Sequence, residues 1–188
     1  MNLIIFGPPG AGKGTQADFI VNRYQLYQLS TGAVLRNEIK NETELGKEIS
    51  SIINSGTLVS DEIVKKLVEN FISNNKYKDR LIFDGYPRNL IQAETLNELL
   101  GKYNQKIDLV LKLSVSLETI KKRISERLTL EKRVDDSEDI AIKRYKTYEK
   151  STEPVIEYYK KLNLLKVIDG ERSIDQINKE ISDIIGLI

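Results

Sequence analysis

Two spacings of apolar residues alternate along this chain. Short continuous runs at residues 2–6, 81–83, 107–115 and 164–168 predict strands buried on both faces, and residues 28–30 a short strand end. Between them, apolar positions recur at three- and four-residue intervals, predicting helices at 14–24, 31–41, 44–55, 61–74, 89–100, 116–127 and 137–160. In the 61–74 stretch Ile63, Val64, Leu67, Val68 and Phe71 share one face, and Ser60 stands where an N-cap belongs. Ser173 and Gln176 have capping-box spacing and open a last helix. A short polar, charged loop is expected over 128–136, and Pro154 is expected to kink or interrupt the long helix. Strands alternating with helices predict an α/β fold: a five-stranded parallel sheet flanked by helices, with ligands at the carboxyl ends of the strands.

The 188 residues suit one domain, and no repeat, low-complexity segment or linker divides it. A net charge of +1 argues against a general nucleic-acid or membrane-surface role. No apolar run approaches the ~20 residues of a membrane span. The first residues lack the ordered segments of a signal peptide, so the expected location is cytoplasmic. With no Cys and no His there is no disulfide, zinc-thiolate site, thiol nucleophile or imidazole base. Phosphoryl transfer to an already anionic oxygen is chemistry that manages without them.

The string GPPGAGKGT, residues 7–15, directly follows the first strand run. Its glycines let the backbone curl so that several N–H groups face an anion, and the helix that follows aims its positive end at the same point. Lys13 adds a full charge that can reach β- and γ-phosphates. The general P-loop pattern places Ser or Thr after the lysine as a Mg²⁺ ligand. Here Gly14 takes that place and Thr15 follows, so the metal must depend more on phosphates, water and a carboxylate elsewhere.

Arginine is used sparingly: nine, against 20 lysines. Arg36 follows a Ser-Thr-Gly turn, Arg88 closes DGYPR, Arg123 and Arg127 share a helical face, and Arg133 and Arg144 flank the start of the long helix. Guanidinium grips phosphate bidentately where ammonium is a point charge, so arginines converging beside a P-loop would suit two phosphorylated molecules. Arg23 and Arg80 read as ordinary surface residues.

The ordered set GPPGAGKGTQ, STGAVLR, GTLVSDE, DGYPRNLIQA, KKRISER and RVDD followed by KRY resembles the adenylate kinases over nearly the whole chain. The resemblance implies a P-loop NTPase fold with a small AMP-binding helical insert at 30–59 and a short lid at 127–136. It implies Mg²⁺-dependent, reversible phosphoryl transfer from ATP to AMP, in nucleotide homeostasis and purine salvage, by a monomer with no nucleic-acid or membrane partner. Gly10, Ala11, Gly12, Lys13, Gly14 and Thr15 match the ATP phosphate loop, and Arg123, Arg127 and Arg172 the ATP side, Arg172 through its backbone. Thr31, Arg36, Thr57, Leu58, Val59, Gly85, Tyr86, Pro87, Arg88 and Gln92 match AMP-site positions. Arg133 and Arg144 match arginines that clamp phosphates on closure. Lys13, Arg88, Arg127, Arg133 and Arg144 are thereby the catalytic set, and Asp84 matches a carboxylate that meets Mg²⁺ through water.

Two departures stand out. Ala33 replaces the family's Asp in STGD, and the lid between Arg127 and Arg133 is only LTLEK, too short to fold around a structural zinc. Asp135 and Asp136 can favour the start of the long helix or orient lid arginines. The resemblance leaves two rivals, a UMP/CMP kinase and an ATP-dependent P-loop switch or binding module. Gln92 favours AMP over the first, because an amide matches adenine with donor and acceptor together. The second has no role for STGAVLR, DGYPR and the arginines together.

Overall fold

The computed structural model describes residues 1–131 and 137–188. Five strands, β1 (Leu3–Phe6), β2 (Tyr27–Ser30), β3 (Leu81–Asp84), β4 (Leu109–Ser114) and β5 (Leu165–Asp169), form one sheet in the order β2-β3-β1-β4-β5. Every pairing is parallel, with Ile4 opposite both Phe83 and Val110. Parallel neighbours need crossover connections. These are supplied by α1 (Lys13–Tyr24), α2 (Thr31–Lys40), α3 (Glu44–Asn54), α4 (Asp61–Ile72), α5 (Leu90–Lys102), α6 (Leu117–Glu131) and α7 (Glu138–Lys161), and α8 (Ile174–Ile185) follows the last strand.

In the inner strands β1, β3 and β4 the apolar runs have a direct cause, because both faces of the sheet are covered there, whereas edge strand β5 leaves Lys166 and Val167 exposed. In β1, Leu3 and Ile5 face a core closed by Ala17 and Ile20 of α1 and by Ile177, Ile181 and Ile185 of α8. Ile4 and Phe6 face the opposite core, built with Leu29, Phe83, Leu96, Val155 and Tyr159. Central β1 is thus anchored on both sides, and the loop leaving it inherits that rigidity. The chain leaves β1 towards β2 and β3 on one side and later crosses to β4 and β5. The reversal places a crevice at the carboxyl ends of β1 and β3.

The last helix opens with the capping box read from Ser173 and Gln176. Two expectations change. Residues 128–131 of the expected polar loop are helical, because α6 continues to Glu131. Its residues are mostly good helix formers with no Gly or Pro, and charge alone had suggested a loop. The remainder of that loop, with Arg133, Asp135 and Asp136, lies outside the described residues. Pro154 does not interrupt α7, which runs through it to Lys161. Val155, Ile156 and Tyr159, each at most 1% exposed, hold that turn against the sheet, and this packing outweighs the lost backbone hydrogen bond.

Candidate active site

The loop after β1 is held by short-range bonds: the Ala11 N–H donates to the Pro8 carbonyl at 3.1 Å, and Gly12 is the left-handed N-cap of α1 with φ 92°. At Gly10, φ is 81° and an added Cβ would lie 2.9 Å from Ile124 Cγ1, so the backbone turn and the packing of α6 both demand glycine there. Arg123 is also tied to this loop. Its guanidinium donates to the Ala11 carbonyl at 3.3 Å and to the Gly170 carbonyl at 2.9 Å, fastening α6 to the loop and to the turn after β5.

Lys13 Nζ donates to the carbonyls of Gly7 (2.7 Å) and Pro8 (3.0 Å). Desolvation pulls its pKa down to about 8; Asp84 opposes the shift, while Arg88, Arg144 and Arg127 reinforce it. Four residues distant in sequence therefore converge electrostatically on one ammonium. Asp84 ends β3 and accepts from Gln28 Nε2 of β2 at 3.1 Å. The sign of the lysine shift gives a test. Below about pH 8 the free site already carries the charged lysine; above it, binding a polyphosphate must first recharge Lys13. Affinity for a non-hydrolysable ATP analogue is expected to be full at pH 7 and to fall by up to about tenfold per unit above pH 8. Calorimetric titration from pH 7 to 10 checks this, and Lys13→Met should flatten the profile.

Beside the loop lie two adjoining cavities. Lys13, Pro9, Pro87 and Thr152 line the second; Thr31, Arg36, Val59 and Gln92 line the first. Leu58, Gly85, Arg88 and Arg144 are on the walls of both, so one cleft runs from Lys13 to Gln92 with two arginines at its waist. The turn at Gly85 (φ 77°) organises this waist: its carbonyl accepts from Arg88 Nε at 2.7 Å and from Thr31 Oγ1 at 3.0 Å. A Cβ on Gly32 would lie 3.2 Å from Arg36 Nη1 and 3.7 Å from Arg88 Nη2, so both guanidinia gather over that residue. Leu35, Ile53, Val59 and Val64 add an apolar wall suited to a flat ring.

Most of the expected AMP-site residues meet in this cleft, whereas of residues 10–15 only Lys13 lines it. Thr31, Arg36, Thr57, Leu58, Val59, Gly85, Arg88, Gln92 and Arg144 line the first cavity, and Pro87 lines the second. Arg127 acts on Lys13 from α6. Tyr86 is the exception in DGYPR. Its ring is 1% exposed and belongs to the core, where burial, with the charge of Asp61 adding, pushes its hydroxyl pKa up. The Arg172 side chain pairs with Glu180 of α8 and with Asp169 at the end of β5, at 3.6 Å, and lines neither cavity. Arg133 lies outside the described residues.

Gln92 is 3% exposed and already bonded: Oε1 accepts from the Arg88 N–H at 2.7 Å, and Nε2 donates to Asp61 Oδ1 at 2.7 Å. Asn89 caps α5 through its Oδ1 and donates from Nδ2 to the same carboxylate. Sequence reading missed Asp61 and Gln28. Asp61 is one of two acids in the first turn of α4, and only its place in GTLVSDE, beside cavity-lining residues 57–59, could have drawn attention.

A parallel sheet in this order, with a glycine nest and lysine after its central strand, is a P-loop NTPase fold. A family model described as adenylate kinase matches residues 5–164. Relatives named adenylate kinase come from Pelagibacter ubique, 46% identical over 98% of this chain and 99% of the relative. Others come from Prochlorococcus marinus, 44% identical over 96% of each chain, and Fervidobacterium nodosum, 40% identical over 99% of this chain and 98% of the relative. The chain belongs to the adenylate kinase family.

Proposed function

We propose that the cleft carries out reversible transfer of a phosphoryl group from ATP to AMP, giving two ADP. The observation that carries the reading is the shared waist: Arg88 and Arg144 face both the Lys13 cavity and the Thr31–Gln92 cavity. Two anions placed end to end would meet there. The ATP phosphates lie in the loop at residues 10–15 against Lys13. The AMP phosphate lies at Arg36 and Arg88, with its base towards Gln92. The attacking oxygen of AMP is already anionic, so no general base is needed; positioning, charge neutralisation and exclusion of water supply the rate. Segment 30–59 closes over AMP, and the short lid at 127–136 brings Arg127 and Arg133 over the transferring group.

The residues present fit Mg²⁺. Asp84 sits at a strand's carboxyl end, acts on the lysine, and has one oxygen engaged by Gln28. Mg²⁺ is commonly held by one carboxylate, water and substrate phosphates. When bound it neutralises charge on the β- and γ-phosphates. With the family, we place the reaction in nucleotide homeostasis and purine salvage.

A coupled ADP assay with ATP and each of AMP, UMP and CMP tests the reading. AMP should exceed both pyrimidine acceptors in kcat/KM by about 10² or more, since a pyrimidine does not fill the apolar slot and uracil, with an acceptor at O4 and a donor at N3, also mismatches the amide. Equal values for AMP and UMP would refute it.

A further inference from the structure

Gln92 presents an amide, and an amide can face either way. Its specificity therefore depends on what fixes its orientation. Adenine offers a donor at N6 and an acceptor at N1. The otherwise identical 6-oxopurine hypoxanthine offers the reverse, an acceptor at O6 and a donor at N1. A freely flipping Gln92 would serve both equally well. Here Oε1 accepts from the Arg88 N–H and Nε2 donates to Asp61 Oδ1, both at 2.7 Å. In the flipped amide, donor would face the Arg88 donor, and oxygen would face the carboxylate. Each polar atom keeps one site, a lone pair on Oε1 and one hydrogen on Nε2. That remaining pair matches N6–H and N1 of adenine and mismatches hypoxanthine.

We propose that Asp61, which lines neither cavity, is a positioning residue that sets selection for the 6-aminopurine over the 6-oxopurine by locking the Gln92 amide. This rests on the reading that Gln92 meets the base. Asp61 is itself oriented by Asn89 Nδ2, which donates to Oδ1 at 3.1 Å and to Oδ2 at 3.3 Å. The lock thus joins the first residue of α4 to the N-terminus of α5, across the wall that holds AMP.

The test compares kcat/KM for AMP and inosine monophosphate in the parent, Asp61→Asn, Asp61→Ala and Gln92→Ala, with a melting midpoint for each. Asp61→Asn keeps the size but can turn an NH₂ towards Oε1, so it no longer rejects the flipped amide. The AMP-to-IMP ratio should narrow at least tenfold in both Asp61 variants, through a higher KM for AMP with KM for ATP unchanged. A role confined to packing would lower both acceptors together and leave the ratio intact, overturning the proposal. If Gln92→Ala also leaves the parental ratio unchanged, Gln92 does not read the base, and that reading fails along with the inference. If Gln92→Ala collapses the ratio while folded Asp61 variants preserve it, the inference alone fails. A readout free of variants is hydrogen exchange of the Gln92 side-chain amide in the parent protein, followed by ¹⁵N NMR. One slow Nε2 proton is expected, and two equally fast ones overturn the lock.

Discussion

Lys13→Met is expected to lower ADP formation on the order of 10³-fold or more in a protein that still folds. Lys13 supplies the ammonium on which Asp84, Arg88, Arg127 and Arg144 act, and it is held against the loop by two carbonyls. Methionine keeps the length and loses the charge. Folding should survive because removing a partly desolvated ammonium relieves a cost in the free protein: a lysine whose folded pKa is depressed destabilises the fold wherever it is protonated in both states. Melting and activity are therefore expected to separate, with the midpoint at pH 7 equal to or above the parent's. Activity within about tenfold of the parent would remove Lys13 from the chemistry.

Arg88→Lys, conservative in charge, is expected to cost about 10²–10³-fold in kcat/KM for AMP, with KM for ATP within a few-fold of the parent. Arg88 does three things at once. Its Nε donates to the Gly85 carbonyl, its N–H donates to Gln92 Oε1, and its guanidinium gathers with that of Arg36 over Gly32. Lysine preserves the backbone bond but removes the Nε anchor and the planar fork. The remaining point charge has no fixed direction at the waist of the cleft. Steady-state kinetics with each substrate varied separates this from a general loss: an equal fall in ATP and AMP parameters would mean that Arg88 holds the turn and not the acceptor.

The fold was legible wherever burial wrote itself into the chain. Strands covered on both faces, such as residues 3–6, read as unbroken apolar runs, and the glycines of the loop carry a backbone requirement that composition reveals. Arginine placement marked the cleft because lysine is this chain's default cation. What stayed hidden was the direction of individual side chains. Tyr86 is flanked by site residues, yet its ring enters the core, since a turn tells little about which way its members point. Arg172 turns to Glu180, eight residues on in the chain and within α8. The amide of Gln92 was legible as a match for adenine, but its commitment to Arg88 and Asp61 emerges only when α4 and α5 are brought together. The end of α6 was misjudged because a charged, soluble helical turn and a charged loop look alike in composition.

One cleft is expected to hold donor and acceptor together. Hydrogen exchange with and without a bisubstrate mimic, two adenosines joined by five phosphates, tests that claim most directly. Protection is expected in the phosphate loop and α1, and also in α2, residues 57–59 and residues 85–88. Protection confined to the phosphate loop and α1 would contradict it and leave a simple ATP-binding module.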